Sequence, residues 1–159
     1  MAKKSRFSVY NFVQVTPTLA TSGVVPAKEF SAISEAGYRT VINLLPDDNQ
    51  YAVRDEEVIV SNLGMQYVHI PIDMEFPTTN DYELFSIAMD AASEAPAWVH
   101  CAANWRVSAF VGLYAQLNLG WSRERAEKLV ASIWDPTPAW IELMEDVLSR
   151  GRRTEVTER

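Results

Sequence analysis

Apolar positions along this chain switch between the two-residue period of strands and the three-to-four-residue period of helices. Val13–Thr21 alternates weakly and predicts a short strand. Pro26 stands where a first helical turn opens and Gly37 where it stops, with Phe30, Ile33 and Ala36 on one face between them. Thr40–Leu45 (TVINLL) is rich in branched residues, is bounded by Gly37 and Pro46, and predicts a buried strand. In the polar loop Pro46–Tyr51, Asp47, Asp48 and Asn49 have the composition of a turn rather than of a metal site. Val53–Asn62 carries Val53, Val58 and Ile59 among acids and predicts a helix ending at Gly64, with Asp55–Glu57 as a solvated face. Met65–Ile72 (MQYVHIPI) predicts another strand, and Asp73–Asn80 a loop.

Asp81–Ser93 predicts a helix with Leu84, Phe85, Ala88 and Ala92 on one side, and Ala97–His100 (AWVH) a short strand. Arg106–Leu119 is apolar nearly all round, the mark of a buried helix, and Gly120 stops it. Ser122 opens a further helix running to about Trp134, with Arg125 where a capping box prefers an acid. Pro136 and Pro138 make a turn before a final helix, Ala139–Arg150. Trp121, Trp134 and Trp140 are expected to pack the helical side. Strands alternating with helices, then helices alone, predict an α/β fold with a central, mostly parallel sheet flanked by helices. Residues 1–159 are expected to form one domain with loose termini at about 1–6 and 151–159. Sites in such sheets lie beyond the carboxyl ends of the strands, where Cys101 and Asp73 fall.

Composition narrows the function classes. With 48% hydrophobic and 22% charged residues the chain has an ordinary globular balance. A formal charge of −7 repels phosphate backbones and argues against general nucleic-acid binding. A single cysteine excludes an internal disulfide and a multi-cysteine metal site, and points to a reducing, cytoplasmic setting. No apolar run reaches the length of a membrane span. Lys3, Lys4 and Arg6 precede Phe7–Val15, but Ser8, Asn11 and Gln14 interrupt that stretch, which is not read as a signal peptide. The sequence is silent on oligomeric state.

The chemistry is concentrated in Ala97–Ser108 (AWVHCAANWRVS), a strand, a loop and the start of a buried helix. Unpaired N–H groups and the dipole at that helix start favour an anion, and the same field favours a thiolate at Cys101. Arginine at a helix N-terminus is electrostatically misplaced unless an anion binds there, so Arg106 is a candidate oxyanion clamp. A cysteine between a strand end and a helix start, with that arginine near, is a candidate nucleophile rather than a small apolar filler. His100, on its own, reads more readily as a satisfied structural histidine than as a base. Trp105 either lines a substrate pocket or covers the core.

Val99-His100-Cys101, the downstream Arg106 and Ser108 and the helix that follows resemble the cysteine-dependent protein phosphatases, most nearly the small bacterial dual-specificity-like ones. The similarity runs from about Ala20 to the last helix. His69-Ile70-Pro71-Ile72-Asp73 is similar to the general-acid region of that family, and Asp73 precedes Cys101 by 28 residues, as the resemblance expects. The resemblance implies that Cys101 forms a cysteinyl-phosphate and that Arg106 clamps the phosphoryl oxygens. It implies that Asp73 protonates the leaving alkoxide and then activates water, with Glu75 a close competitor and Asp81 a weaker one. It gives Ser108 a hydrogen bond to the thiolate, His100 a supporting role in orienting the loop and tuning Cys101, and Ala102, Ala103, Asn104 and Trp105 the lining of the substrate cradle. It calls for no metal and no cofactor.

The loop departs from that family in spacing. Only Ala102, Ala103, Asn104 and Trp105 separate Cys101 from Arg106, one residue fewer than the phosphatase pattern. A gapless alignment keeps Ser108 in register but puts Val107 at the arginine position; a one-residue deletion keeps Arg106 but shifts Ser108. Asn104 stands near a usual glycine and tolerates left-handed backbone. The shorter spacing resembles the active loop of rhodanese-type sulfurtransferases, in which a cysteine carries a persulfide. Three readings stay open: a cysteine-dependent phosphatase acting on a phosphomonoester, a sulfurtransferase with a small sulfur donor, and a binding module holding an oxyanion or phosphorylated partner without turnover.

Overall fold

The computed structural model describes residues 7–158, with side chains to Gly151. The expected loose segment at 1–6 lies outside the described residues. Five strands, β1 (Val13–Thr16), β2 (Leu19–Ser22), β3 (Thr40–Asn43), β4 (Gln66–His69) and β5 (Ala97–His100), form one sheet in the order β1-β2-β5-β3-β4. All neighbours are parallel except the edge pair β1 and β2. Six helices accompany it: α1 (Phe30–Glu35), α2 (Glu56–Asn62), α3 (Thr79–Ala91), α4 (Trp105–Asn118), α5 (Arg123–Ala131) and α6 (Pro138–Glu158). This is the α/β architecture that the alternating periods predict. None of the described helices is long and apolar enough to cross a membrane.

The two-residue period of the strands divides the core into two layers. Ala20, Val41 and Trp98 point to one face and pack with Phe30 and Ile33 of α1 and Val60 of α2. Leu19, Ile42 and Val99 point to the other and pack with Phe85 of α3, Phe110 of α4 and Leu143 of α6. The buried strand β5 lies between β2 and β3, parallel to both. Its alternation sends Trp98 and His100 toward the α1–α2 side, where His100 meets Phe30, and sends Val99 and Cys101 into the α3–α4–α6 core.

Local chemistry sets most boundaries. Thr78 and Asp81 close a full capping box on α3, and Ser122 caps α5 by accepting from the Arg125 N–H, although arginine holds the capping-box acid position. The structure departs from the sequence reading at three elements, two of them for local reasons. Val13–Thr21 is a hairpin rather than a strand, because Thr16 pairs with Leu19 across Pro17 and Thr18. Helix α2 begins at Glu56 rather than Val53, because Asp55 adopts a left-handed backbone with φ 60°. The last helix continues past Arg150 to Glu158.

At the carboxyl edge of the sheet, the segment after β5 is fastened by the chain that flanks β2. The Val24 N–H donates to the Ala102 carbonyl at 2.9 Å, Asn11 Nδ2 donates to the Ala103 carbonyl at 2.9 Å, and Asn104 Nδ2 donates to the Asn11 carbonyl at 2.8 Å and to Thr21 Oγ1 at 3.1 Å. Asn104 itself is fully buried with φ 69°. Gly23 permits this approach: a Cβ there would stand 2.5 Å from the Ala102 carbonyl oxygen, a backbone atom that cannot swing aside.

Two outcomes follow from this fastening. Gly23→Ala is expected to destabilise the protein by about 1–3 kcal/mol, read as a lower denaturation midpoint, because the loop must shift to admit the methyl group. Asn104→Ala is expected to cost about 2 kcal/mol or more in the same measurement, since it removes the amide clamp and leaves alanine in left-handed backbone.

Candidate active site

Cys101 follows β5 directly and is fully buried, and its thiol has no hydrogen-bond partner among the described residues. Ala102 to Asn104 then turn the chain into α4, whose N-cap Asn104 makes no side-chain capping bond. The first N–H groups of α4 therefore keep their donor capacity next to the cysteine. The Ala102 and Ala103 carbonyls are drawn away by Val24 and Asn11, which orients this short loop. Trp105 is 42% exposed and stacks on Trp134, with ring centroids 5.2 Å apart and planes within 4°.

Arg106 is 7% exposed. Its Nε donates to the Ile72 carbonyl at 2.9 Å, and no carboxylate among the described residues pairs with it. A buried guanidinium without a counter-charge costs several kcal/mol, a cost that an anion at the unused nitrogens offsets. The Nε bond also ties the arginine to the loop carrying the candidate acid, since Ile72 immediately precedes Asp73. Asp73 is exposed; its Oδ1 accepts from the Glu75 N–H at 2.8 Å and the Phe76 N–H at 3.3 Å, so one oxygen shapes the turn. Glu75 is likewise exposed, and Asp81 is taken up by the α3 capping box. Ser108 is buried on α4 with its hydroxyl donating to the Trp105 carbonyl at 3.1 Å; in this rotamer its proton is not on Cys101.

His100 is fully buried, with Nε2 2.6 Å from Glu56 Oε2 and Nδ1 3.3 Å from the Cys101 carbonyl oxygen. The sequence reading places Glu56 on a solvated helix face; it is 5% exposed and faces inward. The left-handed turn at Asp55 starts α2 there, a change of direction that hydrophobic periodicity does not register. Beyond Glu56 lies Tyr67, whose hydroxyl accepts from Asn43 Nδ2 at 3.0 Å. Burial pushes the Tyr67 phenol well above its ordinary value, the Asn43 bond pulls it down, and the nearby Glu56 carboxylate pushes it further up.

A cavity of about 710 Å³ lies between α4, α5 and α6, lined by residues such as Gly112, Val130, Trp134 and Met144, and it does not include Cys101. Among the described residues no cluster of three or more His, Cys, Asp or Glu is placed to hold a metal ion.

Known proteins place this chain in a family. The chain is 29% identical over 120 residues to the beta-lactamase hydrolase-like protein of Xylella fastidiosa; that stretch is 74% of this chain but 28% of the relative's length. A candidate phosphatase from Shewanella putrefaciens CN-32 superposes with a TM-score of 0.82 at 33% identity, over 90% of this chain and 94% of that one. Two more distant structures share the fold. Pseudomonas aeruginosa TpbA, in complex with phosphotyrosine, has a TM-score of 0.70 at 17% identity, over 91% of this chain and 95% of its own. A candidate dual-specificity phosphatase from mouse, complexed with zinc tungstate, has a TM-score of 0.73 at 19% identity, over 98% of both chains. The family model of the phosphatase-like domain matches residues 11–117, from the clamp residue Asn11 through the cysteine loop and nearly all of α4, and the chain belongs to the family of beta-lactamase hydrolase-like protein, phosphatase-like domain.

Proposed function

We propose that this chain is a cysteine-dependent phosphatase acting on a phosphomonoester. The observation that carries the reading is Arg106: a buried guanidinium with no carboxylate partner among the described residues, in the first turn of the helix that follows a buried thiol and starts with unused N–H groups. A phosphoryl group satisfies all three at once, its oxygens taking the N–H and guanidinium donors and its phosphorus facing sulfur. The phosphotyrosine and tungstate complexes of the TpbA and mouse proteins are in keeping with such a ligand.

In the first step the Cys101 thiolate gives an electron pair to phosphorus, and the bond from phosphorus to the ester oxygen breaks. Asp73, entering protonated, delivers its proton to that oxygen. In the second step Asp73 takes a proton from water, the water oxygen bonds to phosphorus, and the sulfur–phosphorus bond returns its electrons to Cys101. Arg106 holds the equatorial oxygens throughout, and its bond to the Ile72 carbonyl keeps the acid loop in register with them. Ser108 assists the departing thiolate once its hydroxyl turns from the Trp105 carbonyl. His100 supports the loop from behind through the Cys101 carbonyl. The four-residue spacing between Cys101 and Arg106 favours a second reading, a sulfurtransferase with a persulfide on Cys101.

Turnover of an aryl phosphate by the purified protein tests the assignment. Wild-type hydrolysis is expected, and Cys101→Ser is expected to fall to background. An inert wild type that gains activity when one residue is inserted between Trp105 and Arg106 would assign the native loop to other chemistry. Gain of one sulfur in mass from thiosulfate, reversed by cyanide, would establish the persulfide carrier; oxyanion binding with neither reaction would mark a binding module. Asp73→Asn is expected to lower kcat on an alkyl phosphate by about 10²–10⁴-fold, with a smaller loss on an aryl phosphate, whose leaving group needs the proton less.

A further inference from the structure

The helical layer away from Cys101 leaves apolar surface uncovered. On α6, Trp140, Leu143 and Val147 pack into the core. Ile141, Met144 and Leu148, one step round at helical spacing, line the cavity of about 710 Å³ between α4, α5 and α6. The facing walls carry short side chains, Ala109 and Gly112 of α4 and Ala126 and Ala131 of α5. Short side chains on two helices, opposite a third helix, leave the volume open. Ile141 stands at its rim and is 49% exposed. The volume falls in the range of small-molecule sites, roughly 300–1,000 Å³.

Charge at the rim selects among apolar occupants. Among the described residues, the charged side chains of the lining are Arg123, Glu127, Asp135 and Glu145. Arg123 is already engaged: its Nε donates to Glu127 Oε1 at 2.8 Å and its Nη2 to Glu145 Oε1. An anionic ligand would have to displace one of those carboxylates. A cationic ligand meets a surplus of negative charge, one guanidinium against three carboxylates, with Asp135 exposed. The other cations of α5 lie outside the lining: Lys128 pairs with Glu124 at 3.3 Å, and the Arg125 guanidinium sits over the Trp121 ring at 3.8 Å.

We propose that this cavity is a binding site for a small amphipathic cation, its apolar chain between α4, α5 and α6 and its ammonium group at the acidic rim. The chain gains by leaving water for a wall of alanine, isoleucine and methionine side chains, and the head group stays at the exposed carboxylates. Trp134, in the same wall, is 8% exposed, and its Nε1 has no hydrogen-bond partner among the described residues, so packing alone holds the ring. It stacks on Trp105 and meets Trp140 edge to face at 5.9 Å, and Trp140 Nε1 donates to the Met74 carbonyl at 2.8 Å. An occupant therefore bears on a ring that touches the residue before Arg106 directly and the loop of Asp73 through Trp140. That ring reports occupancy.

The probe is octyltrimethylammonium below its micelle concentration, with octanol and octanoate as controls of the same chain length. Calorimetry on the intact protein at low ionic strength is expected to show one saturable site for the cation, about tenfold tighter than for octanol, with octanoate weaker still. The preference is expected to shrink as salt is raised. Tryptophan fluorescence is expected to change on binding, and the change to disappear in Trp134→Phe. Ile141→Lys adds a cation at an exposed rim position and is expected to weaken cation binding about tenfold; Asp135→Asn is expected to weaken it about threefold. Denaturation midpoints confirm that each variant is folded. Absence of a saturable site, octanol or octanoate binding as tightly as the cation, or binding unmoved by Ile141→Lys overturns the proposal. So does a fluorescence change that survives Trp134→Phe. Self-association that is lost in Ile141→Lys would assign the surface to a second copy of this chain instead. Cys101→Ser is expected to bind the cation as the wild type does, so failure of the phosphatase reading leaves this result standing.

Discussion

The bond from Arg106 Nε to the Ile72 carbonyl is the constraint around which the site is organised. It fixes a charged side chain, 7% exposed, between the helix that starts beyond Cys101 and the loop that carries Asp73. One nitrogen is used for architecture, and the others keep their donor capacity with no carboxylate among the described residues to neutralise them. Burying such a charge works against stability, and proteins retain such groups where a ligand supplies the counter-charge. The same bond makes the loop of Asp73 a neighbour of the Arg106 guanidinium, joining residues far apart in sequence through a single backbone carbonyl.

The sheet supplies the second constraint. Because side chains on β5 alternate, His100 and Cys101, adjacent in sequence, enter different layers. Cys101 is flanked on one side by α4 and on the other by the buried pair of His100 and Glu56. The loop between them is too short to hold its own shape, and much of that shape is imposed by the segments around Asn11 and Gly23. The left-handed backbone at Asn104 makes the turn into α4 possible without a glycine. Trp105, left partly exposed, rests on Trp134 and links the mouth of the loop to the helical layer that lines the cavity between α4, α5 and α6.

The β/α alternation, the buried strand ending in Cys101, the apolar helix α4 and the placement of Arg106 at its start were all legible in the sequence, because each depends on the local period of apolar residues and on what a helix N-terminus favours. So was the family resemblance, carried by His100, Cys101, Arg106 and Ser108. The inward turn of Glu56 was not legible. Three neighbouring acids, Asp55 to Glu57, look alike in a linear pattern, and the left-handed residue that separates them in space leaves no hydrophobic signature. The hairpin at Pro17 and Thr18 was missed for a related reason: alternation continues across a two-residue turn and hides the reversal.

The sequence by itself determined the class of fold and the residues able to do chemistry, since both follow from side-chain type and short-range spacing. The tertiary structure decided their partners: that Arg106 bonds to the loop of Asp73, that Asn11 and Asn104 clamp the cysteine loop, and that His100 meets Glu56 rather than solvent. Those contacts join residues separated by 34, 92, 93 and 44 positions. Hydrogen bonds and desolvation depend on distances and burial that exist only once the sheet has brought these segments to one edge.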